Sequence, residues 1–235
     1  MKPALIIALL SLGACAPIVT HGPQVSDGLQ LNGTVGVPRE LCDSCHADLI
    51  PQYGFGVRYG RKAEPGRFGI SSGLTLSLAM FNPELDVYVE APKPDGGWAY
   101  GGGVLAAMTH TMPYVQVGKL DPDGSGFYTT QGFALLEDHA EGWNLMPEDD
   151  TGPYTHLEPR YWAPTVAYRQ ATRRGAIHWY LSGAFGRAKE LHYPNEFAPN
   201  PGPGVEVGSR PVRVIMLGVA FEHTLSMPRV GPQYH

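Results

Sequence analysis

The sequence predicts an all-β fold: a small antiparallel β-barrel of the outer-membrane type, with eight to ten strands. Three observations support this prediction. Charged residues make up only 17 % of the chain, the 235 residues include 30 Gly and 22 Pro, and large apolar residues alternate with small ones over long stretches. Glycine and proline disfavour helices and suit the turns between strands. A soluble sandwich would carry charges on its outer face, so the shortage of charge favours a wall that meets lipid.

The clearest alternation covers residues 68–80. One face, interrupted only by a serine, carries Phe68, Ile70, Leu74, Leu76, Leu78 and Met80. The other face is built from Gly, Ser, Thr and Ala, and the same division returns in residues 176–186 and 214–221. Thirteen strand residues reach about 43 Å, which at a tilt near 45° matches about one hydrocarbon thickness. We expect large side chains to face lipid and small ones to fill a narrow lumen; the alternative is a soluble barrel or sandwich tethered by lipid.

The alternation and the turn signals predict nine strands. They cover residues 52–60, 67–81, 84–91, 97–109, 112–119, 126–137, 160–170, 175–187 and 211–223. Single-chain bacterial barrels usually have an even number of strands. We therefore expect a tenth strand within 138–159, or eight strands if the weak first segment lies outside the wall.

The N-terminus has the features of an export signal, predicted to cover residues 1–14. Lys2 is followed by an apolar run, from Ala4 to Leu12, that is too short to span a bilayer. Residues 12–15, Leu-Gly-Ala-Cys, resemble a bacterial lipobox, which implies a diacylated Cys15 as the mature N-terminus. No acidic residue follows, so we expect the protein to be lipid-anchored in the bacterial outer membrane. Ordinary cleavage after Ala16 is the alternative.

Residues 15–51 form a different region from the remainder. They show little periodicity and several Gly and Pro, so we expect an irregular tether that leads into a barrel domain over residues 52–235. The tether contains the most specific motif of the chain, Cys42-Asp43-Ser44-Cys45-His46. Two thiols three positions apart, followed at once by a histidine, suit covalent attachment of haem, with the imidazole as proximal iron ligand.

Other residues could supply the second axial ligand of such a haem. His178 lies on the small-residue face of its predicted strand and would point into the lumen, where a hydrogen-bonded structural histidine is the alternative. Met108, His110 and Met112 cluster at a predicted strand end and could also ligate iron; the alternative is that they simply flank a turn. The segment 121–126 begins like a calcium loop, yet position twelve is Gly132 where a bidentate Glu is needed, so it is read as a hairpin turn.

An export signal, one Cys-x-x-Cys-His motif at residues 42–46 and a strand-rich segment to the C-terminus resemble the fused monohaem cytochrome-porins of the outer membrane. That resemblance implies Cys42 and Cys45 as thioether sites, His46 as the proximal ligand, and passage of electrons at the outer membrane.

Two classes of function remain open. The first is an electron-transfer lipoprotein with one haem c, which requires a redox partner. The second is a non-catalytic structural or ligand-binding barrel lipoprotein in which Cys42 and Cys45 form a disulfide. Removal of Lys2 with the signal leaves 16 basic against 22 acidic residues, a net charge of about −6, so we expect lipids and no nucleic acid as partners. No hydrolase or phosphate-loop motif occurs in the sequence, and an enzyme is the less favoured interpretation.

Overall fold

The computed structural model describes ten antiparallel strands arranged as a closed barrel. The described residues are 19, 21–23, 27–40, 52–61, 68–77, 80–89, 96–107, 110–134, 154–193 and 205–225. The strands are β1 (Gly28–Glu40), β2 (Gln52–Arg61), β3 (Phe68–Ser77), β4 (Met80–Val89), β5 (Gly97–Ala107), β6 (His110–Leu120), β7 (Gly126–Ala134), β8 (Tyr154–Thr172), β9 (Gly175–Tyr193) and β10 (Val205–Leu225). Each strand pairs with its neighbours in sequence, and pairing of β1 with β10 closes the ring. The predicted all-β barrel is confirmed.

The tenth strand lies in a different place from the one that the sequence predicts. It is β1, which occupies Gly28–Glu40 inside the predicted tether, so the prediction of an irregular segment over 15–51 was wrong for these residues. No strand stands between β7 and β8 in the wall, because these two pair directly. The alternation of β1 is hard to recognise in the sequence, because its inward positions are the polar Gln30, Asn32 and Thr34 and its outward positions include Gly33.

Large apolar side chains cover the outside of the barrel, as the alternation predicts. The outward positions include Leu31, Val35, Val37, Phe55, Val57, Ile70, Leu74, Leu76, Val104, Val115, Val166, Leu181, Leu217 and Phe221, all exposed. Leu217 is 67 % exposed, whereas its neighbours Met216 and Ala220 on the inner face are almost fully buried. In β7 the alternation of buried and exposed residues extends over the whole strand. The wall therefore has an apolar exterior, and small or polar side chains face inward.

The two ends of the barrel differ in their connections. At one end, the turn end, the strands are joined by residues 62–67, 90–96, 121–125 and 173–174. At the other end, the loop end, they are joined by residues 41–51, 78–79, 108–109, 135–153 and 194–204. Bacterial outer-membrane barrels have short turns on the periplasmic side and longer loops outside. The longest connections, including residues 135–153, are all at the loop end.

Outward aromatic side chains are concentrated in two zones of the wall. Tyr59, Trp98, Phe127, Tyr168 and Trp179 lie towards the turn end, and Tyr53, Phe133 and Trp162 lie towards the loop end. Within these zones the rings of Phe127 and Tyr168 are 4.8 Å apart, and those of Trp162 and Phe185 are 6.1 Å apart. Tyr161, next to Trp162 on β8, faces inward and is 6 % exposed. Two aromatic zones bounding an apolar band are typical of barrels in a bilayer.

The turn between β6 and β7 is a compact hairpin connection. The backbone N–H of Asp121 donates to Ser125 O over 2.7 Å, and Gly124 donates to Asp121 O over 2.8 Å. Gly124 has a φ of 86°, which a residue with a side chain rarely adopts. Hydrogen bonds from the Ser125 N–H and hydroxyl lower the pKa of the Asp123 carboxyl. The carboxylate is occupied inside the turn, which agrees with a hairpin turn rather than a calcium loop.

Among the described residues, no helix is long and apolar enough to cross a bilayer.

Candidate functional site in the barrel interior

The lumen of the barrel contains a segment of the chain from before β1. Val19, His21, Gly22 and Pro23 are all buried, and we call these four residues the inner segment. Val19 packs towards the loop end in an apolar cluster with Met112 and Ala184. Gly22 lies nearer the turn end, where a Cβ would come within 3.3 Å of the Arg169 side chain and 3.5 Å of His178. The inner segment therefore runs along the lumen towards the turn end, where β1 begins.

Side chains of β6 hold the inner segment in place. His21 Nε2 lies 3.1 Å from the Tyr114 hydroxyl, and their rings meet edge to face at 5.9 Å. The amide of Gln116 donates to His21 O over 2.7 Å and to Thr130 Oγ1 over 3.0 Å. The backbone of the inner segment is thus hydrogen-bonded to the wall, which offsets its loss of contact with water.

A chain of polar side chains lies next to Gly22, and we call it the lumen cluster: Tyr128, Arg169, His178 and Glu222. The Tyr128 hydroxyl is 3.0 Å from His178 Nδ1, and His178 Nε2 is 3.4 Å from Glu222 Oε1. Glu222 Oε2 is 3.8 Å from Arg169 Nη2, and Arg169 Nη1 donates to Gly124 O over 2.6 Å. The cluster therefore joins β7, β8, β9 and β10 to the turn at residues 121–125.

The charges of the lumen cluster are buried and compensate each other. Glu222 and Arg169 are 7 % and 5 % exposed, and His178 is completely buried. Arg58 on β2 is a further buried guanidinium, 4 % exposed. Glu222 is the one acid among the buried side chains that the structure describes. Because an uncompensated buried charge is costly, Glu222 stabilises the cations around it.

A second layer of contacts joins side chains on the inner face of the wall, nearer the middle of the barrel. The hydroxyl groups of Thr165 and Ser182 are 2.6 Å apart, and the Tyr180 hydroxyl is 2.9 Å from Thr34 Oγ1. Tyr180 lies across Gly36, where an added Cβ would be 2.8 Å from its hydroxyl. Glycine at this position gives the tyrosine ring room to reach across to β1.

The lumen has a small cavity beside Val19. It is lined by residues such as Met112, Ser182 and Met216 and has a volume of about 10 Å³. That space is about enough for one water molecule, whereas small-molecule sites usually occupy hundreds of cubic ångströms. The cavity does not adjoin the lumen cluster, whose side chains are buried and contact one another. The geometry of the cluster fits a structural network that fixes the inner segment and the strands.

His178 faces the lumen, as its strand position predicts. Both ring nitrogens contact other side chains, which agrees with the structural interpretation. His178 also lies far along the wall from the last described residue before the haem motif. It pairs with Ala220, whereas Glu40, the last residue of β1, pairs with Val214. These six strand positions correspond to about 20 Å.

The other predicted site residues lie at the edge of the described structure or beyond it. Cys15, Cys42, Cys45, His46 and Met108 are outside the described residues, and His110 is described only by its backbone at the start of β6. The strand bounds still define which connections share an end. Both 41–51 and 108–109 join strands at the loop end. Among the described residues, no group of three or more His, Cys, Asp or Glu side chains could hold a metal ion.

Sequence reasoning missed the inner segment and most of the lumen cluster. A usable signal was present for Arg58, Arg169 and Glu222, because each is a charge on the inward-facing side of its strand, among small residues. Such a charge must find a partner in the lumen. No comparable signal marks the inner segment, because its burial depends on the wall of the closed barrel and not on a local pattern.

Neither a protein-family model nor a curated protein sequence matches this chain. Solved structures that are similar to it include two outer-membrane proteins. One is the NanC porin, 10 % identical, with 83 % of this chain and 100 % of that chain covered at a TM-score of 0.30. The other is the outer membrane protein OprG from Pseudomonas aeruginosa, 10 % identical, with 87 % and 100 % covered at a TM-score of 0.27. The strand pairing of this chain itself defines the class of protein: a ten-stranded antiparallel β-barrel with an occupied lumen.

Proposed function

We propose that the protein is a transmembrane barrel of the bacterial outer membrane whose lumen is closed by its own inner segment. The main support for this proposal is the apolar exterior of the barrel. Soluble proteins seldom expose contiguous apolar patches of more than a few hundred Å². Here exposed Leu, Val, Ile and Phe side chains surround a closed wall whose backbone hydrogen bonds are made between strands. Closure is what lets β-strands cross a bilayer.

Membrane fractionation tests this first proposal. Full-length protein should remain with outer membranes after washing at high pH and should migrate faster on a gel before boiling than after it. A variant with Cys15→Ala removes the proposed acylation site and should behave in the same way, because the wall itself spans the bilayer. Recovery of the Cys15→Ala protein as a water-soluble folded monomer would contradict the proposal and favour the tethered soluble barrel.

We further propose that the Cys-x-x-Cys-His motif binds one haem c at the loop end and that the protein transfers electrons. The strand order favours this placement: residues 41–51 and 108–109 both connect strands there, so Met108 and His110 share an end with Cys42, Cys45 and His46. The cavity beside Val19, about 10 Å³, is far too small for a haem. The thiols would hold the group through thioethers, and His46 would ligate the iron.

In the alternative function, the protein has the same barrel but binds no haem. In it, Cys42 and Cys45 form a disulfide and the protein is a structural or ligand-binding lipoprotein. Expression beside a cytochrome c maturation system, followed by haem staining of a denaturing gel, separates the two. The haem proposal expects a stained band that Cys42→Ser with Cys45→Ser abolishes. A colourless wild-type band leaves the disulfide form.

We also propose an acyl anchor at Cys15, for which the inner segment sets a geometric requirement. Three residues lie between Cys15 and the buried Val19, so the Cα atoms of these two residues are about 14 Å apart at most. An acyl chain on Cys15 would have to reach lipid past a rim of the barrel, since the wall encloses Val19. Mass spectrometry of the mature N-terminus tests the anchor: a diacylglyceryl group on Cys15 supports it, and a free Ala16 or Pro17 contradicts it.

A further inference from the structure

Four exposed arginines form a row on the outside of the barrel near the loop end. They are Arg39 on β1, Arg160 on β8, Arg187 on β9 and Arg213 on β10. These four strands are consecutive around the barrel, in the order β8, β9, β10, β1. We call this set the arginine row.

The strand register places the arginines next to one another. Arg160 and Arg187 are direct cross-strand partners. Arg213 pairs with Phe185, two positions from Arg187, and Arg39 pairs with Ile215, two positions from Arg213. Direct partners have Cβ atoms about 5 Å apart and diagonal neighbours about 7–8 Å apart. The guanidinium groups can therefore converge on the same ligands.

The row runs parallel to the edge of the apolar band. On β8 and β10 the arginine is followed ten positions later by the polar Gln170 and His223, with apolar residues predominating between them. Ten positions measure about 33 Å along a strand, and a tilt of about 40° reduces this to a height of about 25 Å, that of the apolar band in outer-membrane barrels. Trp162 and Phe185 lie two positions inside Arg160 and Arg187. The arginine row thus lies at the level where lipid headgroups begin.

No described side chain neutralises the row. None of its four guanidinium groups forms a hydrogen bond or ion pair with another described side chain, and the nearby Lys189 pairs with Glu206 over 2.7 Å. Like charges directly opposite on neighbouring strands, such as Arg160 and Arg187, destabilise a sheet. An anion from outside the protein would relieve the repulsion in the row.

We propose that the arginine row binds the phosphate groups of lipids in the leaflet at the loop end. Guanidinium forms two parallel hydrogen bonds with a phosphate, and two neighbouring arginines can share one phosphate. The apolar band directly below the row would receive the acyl chains of the same lipid. This inference rests on the proposed transmembrane location, because only a bilayer brings headgroups to this height.

The test compares a double variant, Arg160→Gln with Arg187→Gln, with a matched control, Arg173→Gln with Arg174→Gln, in the turn at the other end. Full-length proteins are folded in a zwitterionic detergent, and binding of diphosphorylated lipid A is measured by native mass spectrometry. Wild type and control should bind equally, and loss of two charge-assisted contacts should weaken binding by about tenfold. A lipid A without phosphates should bind as weakly to wild type as the intact lipid binds to the double variant.

Equal binding by the double variant and wild type would overturn the inference, as would equal binding of the phosphate-free lipid. Inorganic phosphate at the same concentration should not compete; full competition would make this a phosphate site and not a lipid site. Insertion of the same proteins into phosphatidylcholine vesicles is measured in parallel. If none of the proteins inserts, the transmembrane proposal fails. If all insert and the double variant binds lipid A as wild type does, the transmembrane proposal stands and only the lipid-binding role of the arginine row is wrong.

Discussion

Inside the barrel, the Glu222 carboxylate on β10 lies 3.4 Å from Nε2 of His178 on β9. The same carboxylate lies 3.8 Å from Arg169 on β8. One buried acid therefore joins three neighbouring strands, close to the point where Gly22 passes through the lumen. The contacts of Glu222 therefore hold the wall together at the place where the inner segment packs against it.

Replacing Glu222 with glutamine should destabilise the barrel strongly. The variant keeps the size of the side chain but removes the buried negative charge beside Arg169, for which we expect a loss of about 3–5 kcal/mol. Equilibrium unfolding in urea, followed by tryptophan fluorescence in vesicles, measures this loss. The control is Glu206→Gln, which breaks a half-exposed pair with Lys189 and should cost about 1 kcal/mol or less. Equal effects of the two changes would contradict the assigned role of Glu222.

Removing the inner segment should open the lumen. A chain that begins at Asp27 lacks Val19, His21, Gly22 and Pro23, which fill the space beside the lumen cluster. Planar-bilayer recordings should show steady ion conductance for this chain and little for one that begins at Ala16. A full-length Gln116→Ala variant, which loses the hydrogen bond to His21 O, should show brief openings. If all three conduct equally, the inner segment does not close the lumen.

A charge in the middle of the apolar band should be costly only in a bilayer. Leu217 lies near the centre between Arg213 and His223 and is 67 % exposed. Leu217→Arg should reduce the free energy of unfolding in vesicles by about 2–4 kcal/mol, whereas His223→Arg at the edge of the band should reduce it by about 0–1 kcal/mol. A similar small effect at both positions would indicate that the exterior meets water.

If haem c is present, its second axial ligand should come from the loop end. Met108→Ala or His110→Ala should change the absorption spectrum of the haem-loaded protein, because both lie at the connection that shares this end with residues 41–51. His178→Ala should leave the spectrum unchanged, since His178 lies about 20 Å along the wall from the end of β1. A spectral change with His178→Ala alone would place the haem in the lumen instead.

The sequence predicts the wall well because alternation is a local property. Residues 68–76 show their large and small faces directly, and the structure places Ile70, Leu74 and Leu76 outward as predicted. The same reasoning does not detect β1. Its inward side is polar and its outward side contains Gly33, so the two faces of the strand differ little in side-chain size and hydrophobicity. The partners of Glu222 come from β8 and β9, and only the register of the closed barrel brings them together. The same holds for the arginine row, whose members are far apart in sequence.

The central claim, that the apolar exterior faces lipid, is tested most directly by fluorescence quenching with brominated lipids. In a chain whose tryptophans are replaced by phenylalanine, Leu217→Trp introduces one reporter near the middle of the apolar band, and Ala220→Trp is avoided because Ala220 is buried in the wall. The protein is folded into vesicles whose lipids carry bromine either near the headgroup or deep in the acyl chain. The transmembrane barrel predicts strongest quenching by the deep bromines. Quenching by aqueous iodide with no effect of either brominated lipid would contradict it.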